Sequence, residues 1–165
     1  MNKLGYIISL FVLTMIICDG TLCQETRHFA IQCEVTGLRN QRGKLHLALF
    51  GGMAGGKGFP GSDKDALKVQ TLQADTAIAA PVIAGKPQVY TLKCSFADLP
   101  PGRYAIAVYH DENSNGKLDT YWYGKPREGA AASNNPHPSF RAPNFKESSF
   151  ELSDSQTIAL KMWYP

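Results

Sequence analysis

Charge of one sign is scarce in this 165-residue chain: 17 Lys and Arg against 14 Asp and Glu leave a formal net charge of +3. That is too weak to argue for nucleic acid as a partner. Helical periodicity is lacking as well, since no segment of helical length carries a 3.6-residue apolar stripe. Histidine is limited to four residues, and none shows a close ligand spacing. No G-x-S-x-G elbow occurs, and Ser133 has no oxyanion device near it in sequence, which leaves serine hydrolysis unsupported. The glycine stretch Gly51–Gly58 falls short of a phosphate-binding loop. Gly58 stands where Ser or Thr would hold magnesium, and Phe59 and Pro60 stand where a helix would begin. It reads as a hairpin tip, with no nucleotide as ligand.

Cysteine is scarce too, at four, and two of the four lie in a segment expected to be removed. Lys3 precedes an apolar run from Leu4 to Ile17 and then small and polar residues, the pattern of a secretory signal peptide over residues 1–23. Cleavage after Cys23 puts Thr21 and Cys23 at the small-residue positions, with Gly20 as the alternative. A lipid anchor on Cys18 or Cys23 is disfavoured because Ile17 and Leu22 precede them. The run is also short for a membrane-spanning helix. The expected mature chain, 24–165, suits a single exported domain, periplasmic or secreted. In that oxidising setting Cys33 and Cys94 are expected to form a disulfide, because both fall on the apolar parity of strand-like segments.

What the sequence has is period-two alternation broken by Gly, Pro, Asn and Asp. Strands are expected at 27–36, 43–50, 67–73, 77–83, 88–96, 102–110, 146–152 and 156–164, with one helical turn opening 62–70. Seven or eight short strands in one domain predict an all-β fold, an immunoglobulin-like or transthyretin-like antiparallel sandwich. Residues 104–109 are apolar on both parities, so this strand should be central and present His110 and Asp111 from a rigid base. Residues 120–145 read as a long loop, and loops of that length in a compact domain tend to be functional or disordered.

Asp111–Asp119, D-E-N-S-N-G-K-L-D, spaces oxygen groups as a calcium loop does. Asp111, Asn113 and Asn115 take the first, third and fifth positions, and Gly116 turns at the sixth. The Lys117 carbonyl takes the seventh position and Asp119 the ninth. Trp122 stands at the twelfth, where a bidentate Glu would close a helix-loop-helix hand, so Glu128 is the candidate for a distant carboxylate. The competing reading is a polar turn between strands. Glu112 points out of the ligand pattern. Candidates for ligand contact are His110, Tyr121, Trp122, Tyr123, Ser133 and Asn134; a capping or packing role is the favoured reading of His110, and burial of the aromatic trio under the loop is the competing reading for the rings.

H-D-E-N-S-N-G-K-L-D (His110–Asp119), G-K-P-R-E-G (124–129), S-N-N (133–135), P-S-F (138–140) and a closing F-x-L strand resemble the bacterial domain-of-unknown-function family 2141. The opening V-T-G-L-R-N-x-x-G-K-L-x-L-A-L-F, Val35–Phe50, is similar to that family's first hairpin. Ala132 stands where the family usually has an aromatic residue. The resemblance implies an exported bacterial β-sandwich with no assigned reaction. The preferred expectation is a non-enzymatic exported protein with a structural Ca2+ and a binding or accessory role toward a cell-envelope protein or carbohydrate. The alternatives are an acid/base or metal enzyme built on His110, Asp111 and Glu128, and an accessory domain with an exposed apolar sheet edge.

Overall fold

The computed structural model describes residues 27–51, 55–138 and 141–165. The expected signal peptide, the centre of the glycine stretch and the Ser139-Phe140 pair lie outside the described residues. The strands are β1 (Phe29–Leu38), β2 (Lys44–Gly51), β3 (Lys68–Gln73), β4 (Ile78–Ala79), β5 (Tyr90–Leu99), β6 (Gly102–Asp111), β7 (Gly129–Ala132), β8 (Phe150–Leu152) and β9 (Gln156–Lys161); one α-helical turn, α1, spans Phe145–Ser148, and short 3-10 turns lie at Asp63–Asp65 and Ala74–Thr76. They form two sheets, β4-β5-β1-β9 and β3-β2-β6-β7, with β8 also paired to β6. The fold is an all-β sandwich.

Alternation explains which faces meet. Ile31, Val35, Leu92, Phe96 and Leu160 from one sheet pack against Leu45, Leu47, Leu49, Tyr104, Ile106 and Val108 from the other. The intervening residues of β1 are exposed or half-buried, as the two-residue period requires. Strand β6 is the central strand its composition predicts. Its second face is covered too, by Phe59, Ala66 and Phe145 over Ala48, Phe50 and Ala107.

The structure departs from the sequence expectation in five places. The sandwich is not wholly antiparallel: β9 lies parallel to β1, from Ile31↔Gln156 to Thr36↔Lys161, because it enters from β8 at the end where β1 begins. The strand expected at 77–83 shrinks to Ile78–Ala79 after a 3-10 turn at Ala74–Thr76. The strand expected from 146 starts only at Phe150, since Asn144 and Glu147 form a reciprocal capping box that holds α1. The expected long loop contains β7, which pairs Ala107–His110 of β6. Finally, Cys33 and Cys94 are direct partners on neighbouring strands of one sheet, not on facing sheets, and their sulfurs are unbridged here. A hydrogen bond between them, together with burial, raises the pKa of Cys33 above its ordinary value; the same bond lowers that of Cys94.

Strand directions gather one set of connections at one end of the sandwich. Leu38 ends β1, Lys44 pairs with Asp111, and Tyr90 pairs with Leu38. The β1–β2 turn, the β4–β5 connection, the acidic loop and the segment after β9 therefore share that end.

Candidate functional site

The acidic loop leaves the end of β6 and folds back on its own carboxylates. Asp111, fully buried, accepts the Asn115 N–H on Oδ1 at 3.0 Å and the Gly116 N–H on Oδ2 at 2.7 Å. Asn113 and Asn115 each accept a backbone N–H two residues on, the Asx-turn habit of these side chains. Their amide groups donate to the two oxygens of Asp119 at 2.8 and 3.0 Å. Glu128, 4% exposed, reaches the loop from the start of β7. Its Oε1 accepts the Glu112 N–H at 2.9 Å and its Oε2 accepts the Asp119 N–H at 3.0 Å. The Glu128 carboxylate therefore reaches the loop and clamps its two ends through backbone donors.

A second tier holds this arrangement from behind. His110 is fully buried, and its Nε2 lies 2.7 Å from the Arg42 carbonyl. A carbonyl only accepts, so Nε2 carries the proton and Nδ1 accepts from the Tyr164 hydroxyl at 2.8 Å. Burial pushes the Tyr164 phenol up to about 12. Glu112 turns outward to Arg39 and Asn40, and the Arg39 guanidinium holds its carboxyl below the ordinary value. The turn that supplies these partners needs Gly43: its φ is +72°, and an added Cβ would lie 1.9 Å from the Asp111 carbonyl.

Sequence reasoning missed His46, which comes from β2. Its Nε2 is buried without a hydrogen-bond partner, 3.5 Å from Asp111 Oδ2. Its ring stacks on Tyr109 at 4.7 Å between centroids. The alternating pattern of K-L-H-L-A-L-F puts His46 on the opposite parity from the buried leucines, which was the available signal. Nothing local in the sequence joins it to a residue 65 positions away.

The expected ligand contacts divide in two. His110 and Ser133 are fully buried and are structural. Ser133 Oγ accepts the Ile106 N–H at 2.9 Å and donates to the Ser148 carbonyl at 2.5 Å. Asn134 donates to the Glu147 and Ser149 carbonyls, so the S-N-N motif stitches strands; Asn135 continues it, bonding Ala159 and Lys161 along β9. The aromatic trio behaves differently. Thr120 bridges Pro126, the Tyr121 N–H donates to the Lys125 carbonyl and the Gly124 N–H to the Tyr121 carbonyl. The result is a small hairpin with Tyr121, Trp122 and Tyr123 at 41%, 96% and 56% exposure, and burial under the loop is overturned. Tyr121 and Tyr123 stack at 5.3 Å, and Trp122 meets Tyr123 edge-on.

His110, Asp111 and Glu128 are thus adjacent along one polar network, but each is buried and hydrogen-bonded within the protein. Among the described residues no group of three His, Cys, Asp or Glu is placed to hold a metal ion. Any cation here would rely on amide and carbonyl oxygens beside Asp111 and Asp119.

A two-sheet sandwich with a clamped polar loop and an exposed aromatic hairpin at one end defines the class: an all-β module carrying its distinctive groups on end loops. The chain belongs to the bacterial family described as an uncharacterized protein conserved in bacteria (DUF2141), whose pattern matches residues 33–159. No curated protein matches significantly. Among solved structures, a fimbrial assembly protein from Parabacteroides distasonis is similar at 10% identity and a TM-score of 0.41, over 82% of this chain and 53% of that one. The chain spans about half the length of that structure.

Proposed function

We propose that this protein is an exported, non-enzymatic β-sandwich that binds through its end loops, with the acidic loop held by a structural Ca2+. The observation that carries the reading is the join between a loop tied to itself by hydrogen bonds and anchored on the buried Asp111 and Glu128, and a hairpin whose three aromatic side chains face solvent. A rigid base that presents exposed rings serves contact with a partner, a cell-envelope protein or a carbohydrate. The donor set around Asp119 fits calcium in kind: Asp111, Asn113, Asn115, Asp119 and the Lys117 carbonyl offer hard oxygen atoms. Calcium would supply charge neutralisation there, while Glu128 keeps the loop ends in place.

Thermal unfolding after chelation, with calcium, magnesium and zinc added back separately, tests this. A ligand at 100 times its Kd adds about 2.7 kcal/mol. A rise with calcium that Asp111→Ala with Asp119→Ala abolishes supports the structural ion. No rise reduces the loop to a self-capped turn, and a zinc-only rise turns attention to His46. The cysteine pairing has its own test: the unfolded, unreduced protein should show no free thiol if Cys33 and Cys94 are bridged after export, and two titratable thiols would exclude the bridge.

A second reading, an accessory domain docking a cell-envelope protein, is favoured by the exposed apolar stretch formed by β4 and the connection that follows it. Ile78, Val82 and Ile83 are 71%, 83% and 57% exposed, beside an open apolar hollow of about 340 Å³ lined by Ala80, Pro81, Pro87 and Val89. Val82→Asp with Ile83→Asp should then abolish co-purification with one defined envelope protein while leaving the fold intact.

A further inference from the structure

We propose that the Tyr121–Tyr123 hairpin docks the protein on an anionic lipid bilayer, with Trp122 entering the headgroup region. This rests on the hairpin being the contact surface and names what it contacts. Shape comes first. Small-molecule sites are concave and bury most of their ligand, whereas this tip protrudes, with Trp122 96% exposed at its apex. The two tyrosines cover each other at an interplanar angle of 7°, so each has one ring face already occupied. A bilayer interface, in contrast, receives a protruding amphipathic ring without needing walls around it.

Charge points the same way. Lys117, Lys125 and Arg127 are exposed around the hairpin, and among the described residues none of them forms an ion pair. Of the nearby carboxylates, Glu128 and Asp111 are buried, and Asp119 is hydrogen-bonded to two asparagine amides and, among the described residues, to no cation. Lys125 lies 5.6 Å from the Trp163 ring and Arg127 5.4 Å from the Tyr121 ring. Exposed Trp and Tyr interleaved with unneutralised Lys and Arg match the residues that settle at a membrane interface and attract anionic headgroups. The hairpin is cross-bonded at Thr120↔Pro126, so little ordering is required on contact.

The test is co-sedimentation of the purified protein with vesicles of phosphatidylglycerol and phosphatidylcholine against vesicles of phosphatidylcholine alone. The chain has two Trp, so Trp163→Phe leaves Trp122 as the sole indole reporter. Expected are partition into the anionic vesicles, a blue-shifted Trp122 emission quenched by brominated lipid, and about a fivefold loss of partition for Lys125→Ala. Trp122→Ala should lower partition at least as much with the unfolding midpoint unchanged. Equal binding to neutral vesicles, absence of binding, or wild-type partition by Trp122→Ala overturns the proposal. A Trp122 shift with soluble envelope polysaccharide or a purified envelope protein, but none with vesicles, overturns the lipid assignment and keeps the hairpin as a contact surface. No shift with any of these removes both.

Discussion

The segments 111–119 and 120–126 are neighbours in sequence and opposites in physics. The first is polar and largely satisfied from within: its carboxylates accept backbone and amide donors, and Glu128 closes its ends. The second is aromatic and turned outward, its rings packed chiefly on one another. Composition alone would have exposed the acids and buried the rings. Buried polar groups are tolerated where each finds a partner, and a two-stranded aromatic hairpin that is not covered by another layer has nowhere to hide its rings. Polarity therefore serves structure in one segment, and apolar area is left for contact in the other.

Substitutions sharpen this contrast in order of expected effect. Glu128→Ala leaves two backbone N–H groups without a charged acceptor and should cost about 3 kcal/mol in chemical denaturation. Ser133→Ala removes the hydroxyl between Ile106 and Ser148 and should cost about 1–2 kcal/mol by the same measurement. Arg39→Ala acts at the rim, where it should cost under about 1 kcal/mol. The carboxyl of Glu112 lies below its ordinary value of 4.5 in the folded chain, so its contribution is complete above that value and fades as pH falls through the folded pKa. The difference between wild type and Arg39→Ala should accordingly be largest near pH 7 and shrink below about pH 4.5. Trp122→Ala should change stability by less than about 0.5 kcal/mol, because its ring is almost wholly in solvent. If Trp122→Ala proved as costly as Glu128→Ala, the contrast between the two segments would fail.

Much of the fold was legible because burial on one face writes itself as alternation. Ile31, Cys33 and Val35 announce β1, and the unbroken run before His110 announces a strand covered on both sides. β7 was not legible: Gly129–Ala132 is G-A-A-A, with no contrast between faces. The capping box is written in the spacing of Asn144 and Glu147, but the strand pattern of the residues that follow masks it. In the site, Asp111, Asn113, Asn115 and Asp119 were found by spacing, and Glu128 by the need for a distant acid. His46, Arg39, Arg42 and Tyr164 arrive from other strands, and only the pairing of sheets brings them close. The chemistry of Ser133 and Asn134 suits ligand contact, but burial and carbonyl partners decide their use.

The parallel seam between β1 and β9 also governs when this molecule can exist. β1 has β5 on one side and β9 on the other, so its second neighbour is synthesised more than a hundred residues later. Until that strand emerges from the ribosome, Ile31, Val35 and their companions lack part of their cover, and closure waits on a contact of very long sequence separation. The sheet around β1 is therefore completed only when its last strand joins it.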